Sequence, residues 1–278
     1  MREGDSAGAF EMSEQLAEIE ARIGSVRTLA SVIRAMRAIA GARVRQTQGQ
    51  LASVDLHAAT VSRALDRVLS LAPEPPKPEG PPLTVLFLAE QGFAGSFNAR
   101  LLSALGTPPG GLVVIGTRGA ALAEEQGLSA LAQFPLPSHG PAIPPFADRL
   151  AKTLLQLAGR APIDAFHAQT EDGSWKACRR RIFPRPAQPS APPSQPPLLT
   201  LPPEQLCAAL FAEMLHAELC RVALHATAAE NTARMLAMAS AQGTTERKLD
   251  ALEQTARISR QEAVTTEILE LSAGVTFS

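Results

Sequence analysis

Residues 16–68, LAEIEARIGSVRTLASVIRAMRAIAGARVRQTQGQLASVDLHAATVSRALDRV, carry apolar or small side chains that recur at alternating steps of three and four. This heptad seam continues for about seven repeats and is broken chiefly by Arg37 and Thr47. At a rise of about 1.5 Å per residue, a helix of this length would extend about 80 Å. Globular packing does not require so long a helix, so the pattern predicts one helix of a coiled coil.

The other end of the chain has the same spacing between Leu215 and Ala256. The chain holds 23 prolines, yet none lies in its first 72 residues or after Pro203. Because a proline inside a helix costs about 3 kcal/mol, this distribution favours two long terminal helices, predicted over residues 12–72 and 204–274. The simplest partner for each helix is the other, in an antiparallel coiled coil. Periodicity alone leaves a homodimeric coiled coil open.

Between the helices, residues 83–183 alternate between short β-branched apolar runs and helical spacing. This alternation is typical of a mostly parallel sheet with covering helices. We therefore predict an α/β fold class: an antiparallel coiled coil of long terminal helices with an inserted Rossmann-like α/β domain. The many prolines in residues 184–203 predict an exposed, stiff connection between the inserted domain and the second long helix. The predicted strands are Leu83–Ala89, Leu112–Gly116, Ile163–Ala168 and Trp175–Phe183, and the predicted inner helices are Phe97–Leu105, Ala120–Gln126 and Phe146–Leu157.

Composition and charge argue against several classes of function. The formal net charge is −1, which does not suit a protein that binds nucleic acid by neutralising phosphates. No apolar run approaches the roughly 18 residues of a membrane span, and the acidic start lacks the apolar core of a signal peptide. The cysteines and histidines show no ligand spacing, so we expect no metal, no cofactor and no acid–base catalysis.

Two glycine turns follow predicted strands, Gly92–Gly95 and Gly116–Gly119, which is the context of a nucleotide-binding loop. Neither turn completes a dinucleotide fingerprint, and the chain has no Gly-Lys-Ser/Thr sequence of a P-loop. We interpret both as structural turns between a strand and a helix. A small enzyme that uses the first turn is the least favoured alternative.

Four segments of the chain carry distinctive motifs. RAMRAIAGARVR at 34–45 is similar to Lys-Ala-Met-x-Met-Val-Ala-x-x-Lys-Met-Arg of the γ subunit of F-type ATP synthases, and QGFAGSFN at 91–98 resembles that family's Arg-Gly-Leu-Cys-Gly-x-Leu-Asn turn. ENTARMLAM at 230–238 resembles Glu-x-x-Ala-Arg-Met-x-Ala-Met, and RQEAVTTE at 260–267 resembles Arg-Gln-x-x-Ile-Thr-x-Glu. The last two are the most specific. Order and approximate spacing hold from Met12 to Gly274, nearly the whole chain.

The chain also departs from the family pattern. Arg37 stands where the family has a glutamate, and Ala94 stands where it has a cysteine. The Tyr and Glu that the family usually places near residues 199–203, facing the membrane ring, are absent. These departures indicate a divergent member. Met12-Ser-Glu-Gln-Leu resembles a usual family N-terminus, which makes Met12 an alternative start.

The resemblance implies a non-catalytic rotor subunit, the central stalk of a bacterial ATP synthase that couples transport of H⁺ or Na⁺ to ATP synthesis or hydrolysis. Its implied partners are the α and β subunits of the α3β3 hexamer, the ε subunit and the membrane c-ring. The implied location is peripheral, at the cytoplasmic face of the cell membrane. The rival function, from a different class, is a structural homodimeric coiled-coil adaptor.

The resemblance also implies which side chains contact partners, and it assigns no catalytic, cofactor-binding or metal-binding residue. In the C-terminal helix, the family's polar cluster hydrogen-bonds a loop of one β subunit. In the N-terminal helix, the basic stretch passes acidic loops of the β subunits. The implied contact residues are Arg34, Met36, Arg37, Arg43, Arg45, Arg260, Gln261, Thr265 and Glu267.

Overall fold

The computed structural model of the chain describes residues 3–69, 77–108, 110–184 and 199–275, without the side chains of residues 3–13, 267 and 270–275. A long helix is followed by an alternating α/β region and a second long helix. The helices are α1 (Glu3–Leu69), α2 (Phe97–Leu105), α3 (Thr117–Glu125), α4 (Ile143–Ala158) and α5 (Pro203–Val275). The strands are β1 (Leu83–Phe87), β2 (Leu112–Ile115), β3 (Ala132–Phe134), β4 (Ile163–Glu171) and β5 (Ser174–Phe183).

The prediction of two long terminal helices around an α/β region is confirmed. α1 has 67 residues and α5 has 73 residues. The only proline in either helix is Pro203 at the first position of α5, where the missing N–H breaks no helical hydrogen bond. The predicted proline-rich connection falls largely on residues 185–198, which lie outside the described residues.

The chain divides into two compact units. One consists of residues 1–38 and 237–278 and contains parts of α1 and α5; we call it the two-helix unit. The other, the sheet unit, consists of residues 39–236.

In the two-helix unit, the apolar seam is the buried face of each helix. Ile23, Ala30 and Ile33 of α1 are buried, as are Met238 and Ala256 of α5. Their spacing is that of a coiled-coil interface, in which each apolar side chain packs between residues of the facing helix. The structure therefore confirms the helix pair predicted from the seam.

Two ion pairs show the relative direction of the helices in this unit. The Arg27 guanidinium lies 2.7 Å from the Glu253 carboxylate, and Arg260 lies 2.6 Å from Glu20. As the residue number falls on α1, it rises on α5, so the two helices are antiparallel.

The segments of α1 and α5 within the sheet unit are antiparallel as well. The Arg221 Nε atom lies 2.6 Å from the Asp55 carboxylate, and the His57 ring nitrogen lies 2.8 Å from Glu213. The seam predicted for residues 51–68 is partly buried here, because Ala58, Val61, Leu65 and Val68 are all buried.

The sheet has five strands in the order β3-β2-β1-β4-β5. β1 pairs in parallel with both β2 and β4, β2 pairs in parallel with β3, and β5 returns antiparallel to β4. The sequence analysis predicted the mostly parallel sheet and the final hairpin. It missed β3, an edge strand of three residues.

Both faces of the sheet are covered by helices, as a parallel sheet requires. One face packs against α4 and α5 and the other against α2 and α3. The strand residues alternate between the two cores because successive side chains point to opposite faces. The first core contains Val85, Phe87, Val113, Ile115, Phe146, Leu150 and Leu219, and the second contains Leu86, Leu88, Val114, Phe97 and Leu101.

α4 starts earlier than the sequence predicted, at Ile143 instead of Phe146. Its first turn contains Pro144 and Pro145. Proline is tolerated there because the first N–H groups of a helix have no partner within it. The prolines therefore mark the start of α4 and do not exclude a helix.

No helix among the described residues is long and apolar enough to cross a membrane.

Candidate functional site

The predicted contact residues of the C-terminal helix lie on an exposed part of α5 in the two-helix unit. Arg260, Gln261 and Thr265 are all exposed. Arg260 Nη2 donates to the Glu20 carboxylate of α1 at 2.6 Å, and the Thr265 hydroxyl donates to the Gln261 carbonyl at 2.8 Å. The side chain of Glu267 lies outside the described residues. The structure thus brings Arg260 to an intramolecular partner that the sequence analysis did not anticipate.

In the same unit, the contact residues predicted in the N-terminal helix have different environments. Arg34 is exposed and Met36 is half-buried. Arg37 is exposed, and its Nη1 atom donates to the Gln242 side chain of α5 at 3.1 Å. Gln242 in turn donates to Glu246 at 2.8 Å. Arg37 breaks the apolar seam, and it serves instead in a polar contact between the two helices.

The other two predicted residues of α1 belong to the sheet unit. Arg43 is half-buried, and its Nη1 atom donates to the Gln91 side chain at 3.0 Å. Arg45 is exposed and lies beside Gly41 on the same helix. Arg43 therefore contacts the turn between β1 and α2.

That turn is held from its other side by a buried ion pair on α5. Glu230 and Arg234 are 4% and 6% exposed, and their side chains contact each other one helical turn apart. The Glu230 carboxylate accepts hydrogen bonds from the Glu90 and Gln91 N–H groups, both at 3.1 Å. Buried charges of this kind are stable only when all their hydrogen-bonding groups have partners.

Arg234 completes the arrangement by donating to the same turn. Its Nε atom donates to the Gly92 carbonyl at 3.0 Å, and its Nη2 atom donates to the Gln91 carbonyl at 3.2 Å. Nη1 donates to the side chain of Asn231, which is 3% exposed. The pair thus binds both the donors and the acceptors of one turn. We call Arg43, Gln91, Glu230 and Arg234 the turn clamp.

Sequence reasoning missed the role of the turn clamp, although it had singled out both segments that form it. The signal was a Glu and an Arg four residues apart in a stretch of small and apolar residues, 230–238. Charges in an apolar context are rarely buried without a specific partner. Which backbone they bind follows only from the fold.

The second glycine turn, Gly116–Gly119, has a structural explanation in this fold. Gly116 has a φ of +106°, and a Cβ atom there would lie 2.3 Å from the Leu88 carbonyl oxygen. A Cβ at Gly119 would lie 2.1 Å from Leu88 Cβ, so this glycine allows α3 to pack closely on β1. The N-terminus of α3 already binds a carboxylate, because Glu90 accepts from the Thr117 N–H at 2.9 Å and from its hydroxyl.

A second buried polar cluster joins β5 to α5 in the sheet unit. Arg180 donates from Nε and Nη2 to the two Glu218 carboxylate oxygens at 2.8 and 3.1 Å, a bidentate geometry. His167 lies nearby at 2% exposed, and burial lowers the pKa of its ring from 6.5 to about 4. The His225 ring is 6.0 Å from it, and burial also lowers the pKa of His225.

Cys220, His216 and Asp148 stand in the order of a nucleophile, a base and an acid, although His216 Nδ1 makes no hydrogen bond. His216 Nδ1 lies 2.8 Å from Asp148, and its Nε2 lies 3.4 Å from Cys220 Sγ. Burial raises the pKa of the Cys220 thiol to about 12, so the thiolate needed for nucleophilic attack does not form near neutral pH. Among the described residues, no group of three or more His, Cys, Asp or Glu side chains could hold a metal ion.

Comparisons with known proteins agree on one family. A family model described as ATP synthase matches residues 15–276. The ATP synthase gamma chain of Moorella thermoacetica is 25% identical over 278 residues, which cover 92% of this chain and 96% of the relative. The gamma chain of Frankia casuarinae is 25% identical and covers 95% and 97%. That of Bacteroides fragilis (strain ATCC 25285) is 26% identical and covers 93% and 98%.

Solved structures share the fold. A chain of the Euglena gracilis mitochondrial ATP synthase OSCP/F1/c-ring structure has a TM-score of 0.66 at 13% identity and covers 95% of this chain and 94% of its own length. A chain of the Tetrahymena thermophila central stalk/c-ring structure has a TM-score of 0.58 at 16% identity and covers 76% and 99%. At these identities the likeness is evidence for the architecture alone.

Proposed function

The chain belongs to the family of ATP synthase gamma subunits, and from that membership we propose that it is the torque-transmitting central shaft of a bacterial F-type ATP synthase. The observation that carries this proposal is the extent of the family match, residues 15–276. It includes most of α1, the sheet and all of α5, and is therefore not a similarity between unrelated coiled coils. In this proposal the chain itself is not catalytic, and the nucleotide sites lie in the β subunits of the α3β3 hexamer.

The helix pair suits such a shaft. Cross-helix ion pairs, such as Arg27 with Glu253, oppose sliding of one helix along the other. A rotating, asymmetric shaft would present a different surface to each of three otherwise equivalent β subunits. Each β subunit would then settle in a different conformation, which couples rotation to the state of its nucleotide site.

We assign the contact with one β subunit to four α5 residues: Arg260, Gln261 and Thr265, which are exposed, and Glu267. A guanidinium group has five N–H donors, and Glu20 occupies one of them. The remaining donors of Arg260 stay available for carbonyl or carboxylate groups of a β-subunit loop. Thr265 accepts through its hydroxyl oxygen while it donates to its own helix.

On α1, the proposed contacts are of two kinds. Arg34 and Arg45 are exposed and suit direct contact with acidic loops of the β subunits, and Met36 adds apolar surface. Arg37 and Arg43 already donate to Gln242 and Gln91. In this proposal, Arg37 and Arg43 also contribute to partner binding by orienting the side chains of Gln242 and Gln91.

The sheet unit and the adjacent helix ends are the proposed contact region for the ε subunit and the c-ring, at the cytoplasmic face of the membrane. The ion coupled to rotation, H⁺ or Na⁺, is a property of other subunits in this proposal. A homodimeric adaptor is less favoured, because the apolar seam and the ion pairs of α1 are satisfied by α5 of the same chain.

Co-purification tests the function directly. The tagged full chain, expressed with its neighbouring α and β subunit genes, should elute as a complex with both, and the complex should hydrolyse ATP. Rotation of a bead attached to the sheet unit, with the hexamer fixed to a surface, should require ATP. Elution of the chain alone as a homodimer would overturn the proposal.

A further inference from the structure

The two edges of the sheet differ greatly in length. β3 forms one edge with three residues, and β5 forms the other with ten residues, Ser174–Phe183. β4 occupies the inner side of β5, and no described strand pairs with the outer side. A long edge offers a row of unpaired N–H and C=O groups to which an extended segment can be added.

The side of β5 that faces α2 carries two arginines. Trp175 packs against Phe97 of α2, with ring centroids 4.7 Å apart. The side of β5 that carries Trp175 is therefore the side that faces α2. By alternation, Arg179 and Arg181 belong to the same side. The Arg100 guanidinium lies 4.3 Å from the centroid of the Trp175 ring.

This side carries more positive than negative charge. Arg181 contacts the Asp164 carboxylate, and the nearest Arg179 nitrogen is 4.0 Å from it. Arg100 contacts an aromatic ring and has no carboxylate partner among these contacts. This side therefore has three guanidinium groups and one carboxylate, that of Asp164.

On the opposite side of β5, the positive charges are balanced by carboxylates. Arg180 is paired with Glu218, and Lys176 lies 2.6 Å from Glu171. The surplus of positive charge is therefore confined to the side that carries Arg100, Arg179 and Arg181.

Charged residues on an edge strand commonly serve to keep other strands away. Here the basic side chains lie against the sheet. The Arg179 guanidinium is 5.4 Å from the Phe166 ring centroid, and Arg181 is held by Asp164. We call Arg100, Arg179 and Arg181 the basic strip. Its charge repels a basic strand and attracts an acidic one.

Space for a partner exists beside the strip. A shallow groove of about 450 Å³ runs between α2 and β5, and most of the side chains along it are small. It is lined by Ala99, Arg100, Ser103, Ala104, Trp175 and Ala177. Side chains of an added strand could enter this groove while its backbone pairs with β5.

We propose that the outer edge of β5 is a strand-addition site for an acidic extended segment of another subunit. The inference rests on the proposed function, because the partner strand comes from the assembled ATP synthase. Backbone hydrogen bonds to β5 supply the pairing. Carboxylates of the added strand face Arg100, Arg179 and Arg181, which gives the selectivity for an acidic sequence.

Hydrogen–deuterium exchange of the full chain, alone and in the purified complex, tests the pairing. Within residues 174–183, the amides that point away from β4 should exchange at least about tenfold more slowly in the complex, since pairing removes them from water. The central strand β1 is the reference, because both of its neighbours are present in the free chain. Equal exchange of the β5 amides in the two states would overturn the inference.

Charge reversal tests the choice of an acidic partner. Arg179→Glu should remove most of the protection, whereas Lys176→Glu, on the other side of the strand, should keep it. Arg100→Glu is a second variant that leaves the contact of Asp164 with Arg181 intact, and it should also lose protection. Retention of full protection in both arginine variants would overturn the acidic partner.

The outcomes separate this inference from the function on which it rests. If the chain fails to assemble with α and β subunits, the proposed function fails and this inference fails with it. If the complex assembles and β5 stays unprotected, only the strand-addition site is wrong.

Discussion

Arg27 and Glu253, separated by 226 residues in the chain, lie 2.7 Å apart across the interface of α1 and α5. Seven residues further along each helix, in opposite directions, Arg260 contacts Glu20. A heptad repeat brings side chains at this spacing back to the same side of a coiled coil. The two contacts therefore fix both the direction and the register of the pair.

This register predicts the product of a crosslinking experiment. Cysteines placed at Arg27 and Glu253, in a chain whose native cysteines are replaced, should react with a short bis-maleimide to give an intrachain product. Arg27→Cys with Thr265→Cys is the control, because 12 residues of helix separate position 265 from 253, about 18 Å. Products that join two chains, seen on denaturing gels, would contradict the intramolecular pair.

Loss of the buried arginine in the turn clamp should be costly. Arg234→Met leaves the Glu230 carboxylate buried without its cation, so we expect a loss of about 3–5 kcal/mol in the free energy of unfolding. Urea titration followed by Trp175, the only tryptophan of the chain, measures this in the sheet unit. The control Arg160→Met removes an exposed pair with Glu79 in the same unit and should cost less than about 1 kcal/mol. Similar losses in the two variants would show that the clamp is not a major stabilising contact.

The stability of the sheet unit should fall as the pH is lowered. The pKa of His167 is lowered to about 4 by burial, from 6.5 in its ordinary state. Between about pH 4 and pH 6.5 the unfolded state binds the proton and the folded state does not. The neutral, buried His167 therefore causes no loss of stability above about pH 6.5. Below that pH, stability declines by up to about 1.4 kcal/mol per pH unit as the pH falls toward about 4.

Urea titrations at several pH values, again followed by Trp175 fluorescence, give this slope. His167→Gln should flatten it, and His139→Gln, a change at an exposed ring, should leave it unchanged. An unaltered slope in the His167 variant would mean that other groups cause the acid sensitivity.

Two helical glycines of the two-helix unit should be replaceable with a gain in stability. Cβ atoms built at Gly24 and Gly243 meet nothing within 4 Å. Alanine at either position should raise the free energy of unfolding by about 0.5–1 kcal/mol, because it restricts the unfolded chain without a clash. Thermal melting by circular dichroism measures the gain. Gly119→Ala is the matched opposite case, since its Cβ would lie 2.1 Å from Leu88 Cβ, and it should destabilise the protein.

The exposed polar residues of α5 should matter for the complex more than for the isolated chain. A desolvated hydrogen bond to a charged group contributes about 1.5–3 kcal/mol. Arg260→Ala combined with Gln261→Ala should therefore weaken assembly or uncouple ATP hydrolysis from ion pumping, with unchanged helicity. Arg257→Ala, an exposed change less than one turn away, is the control. Normal assembly and pumping in the double variant would assign these side chains to ordinary surface.

The terminal helices could be predicted from sequence because their signals are local and long. Proline placement and the heptad spacing define α1 and α5 without knowledge of the rest of the fold. β3 could not be predicted, because three residues carry no periodicity and the strand exists only through its pairing with β2. α4 was predicted too short because its two prolines were not placed in the first turn, where they are tolerated.

For the candidate contact residues, the sequence could predict the positions but not the contacts that each side chain makes. The resemblance supplied their positions, and the structure adds what each one touches. The pairing of Arg260 with Glu20, and of Arg43 with Gln91, joins residues far apart in the chain. No local pattern specifies such partners, since they depend on how α1 is aligned with elements that are distant from it in the sequence. Whether these residues contact β subunits stays a prediction.

The turn clamp also determines when the sheet unit can be completed during translation. Glu230, whose carboxylate binds the N–H of Glu90, is added to the chain 140 residues later. All five strands have left the ribosome before the side chains that secure their first turn exist. A nascent chain that ends before α5 therefore carries a sheet with one face covered only in part, by α4, and exposed apolar surface of this kind favours aggregation.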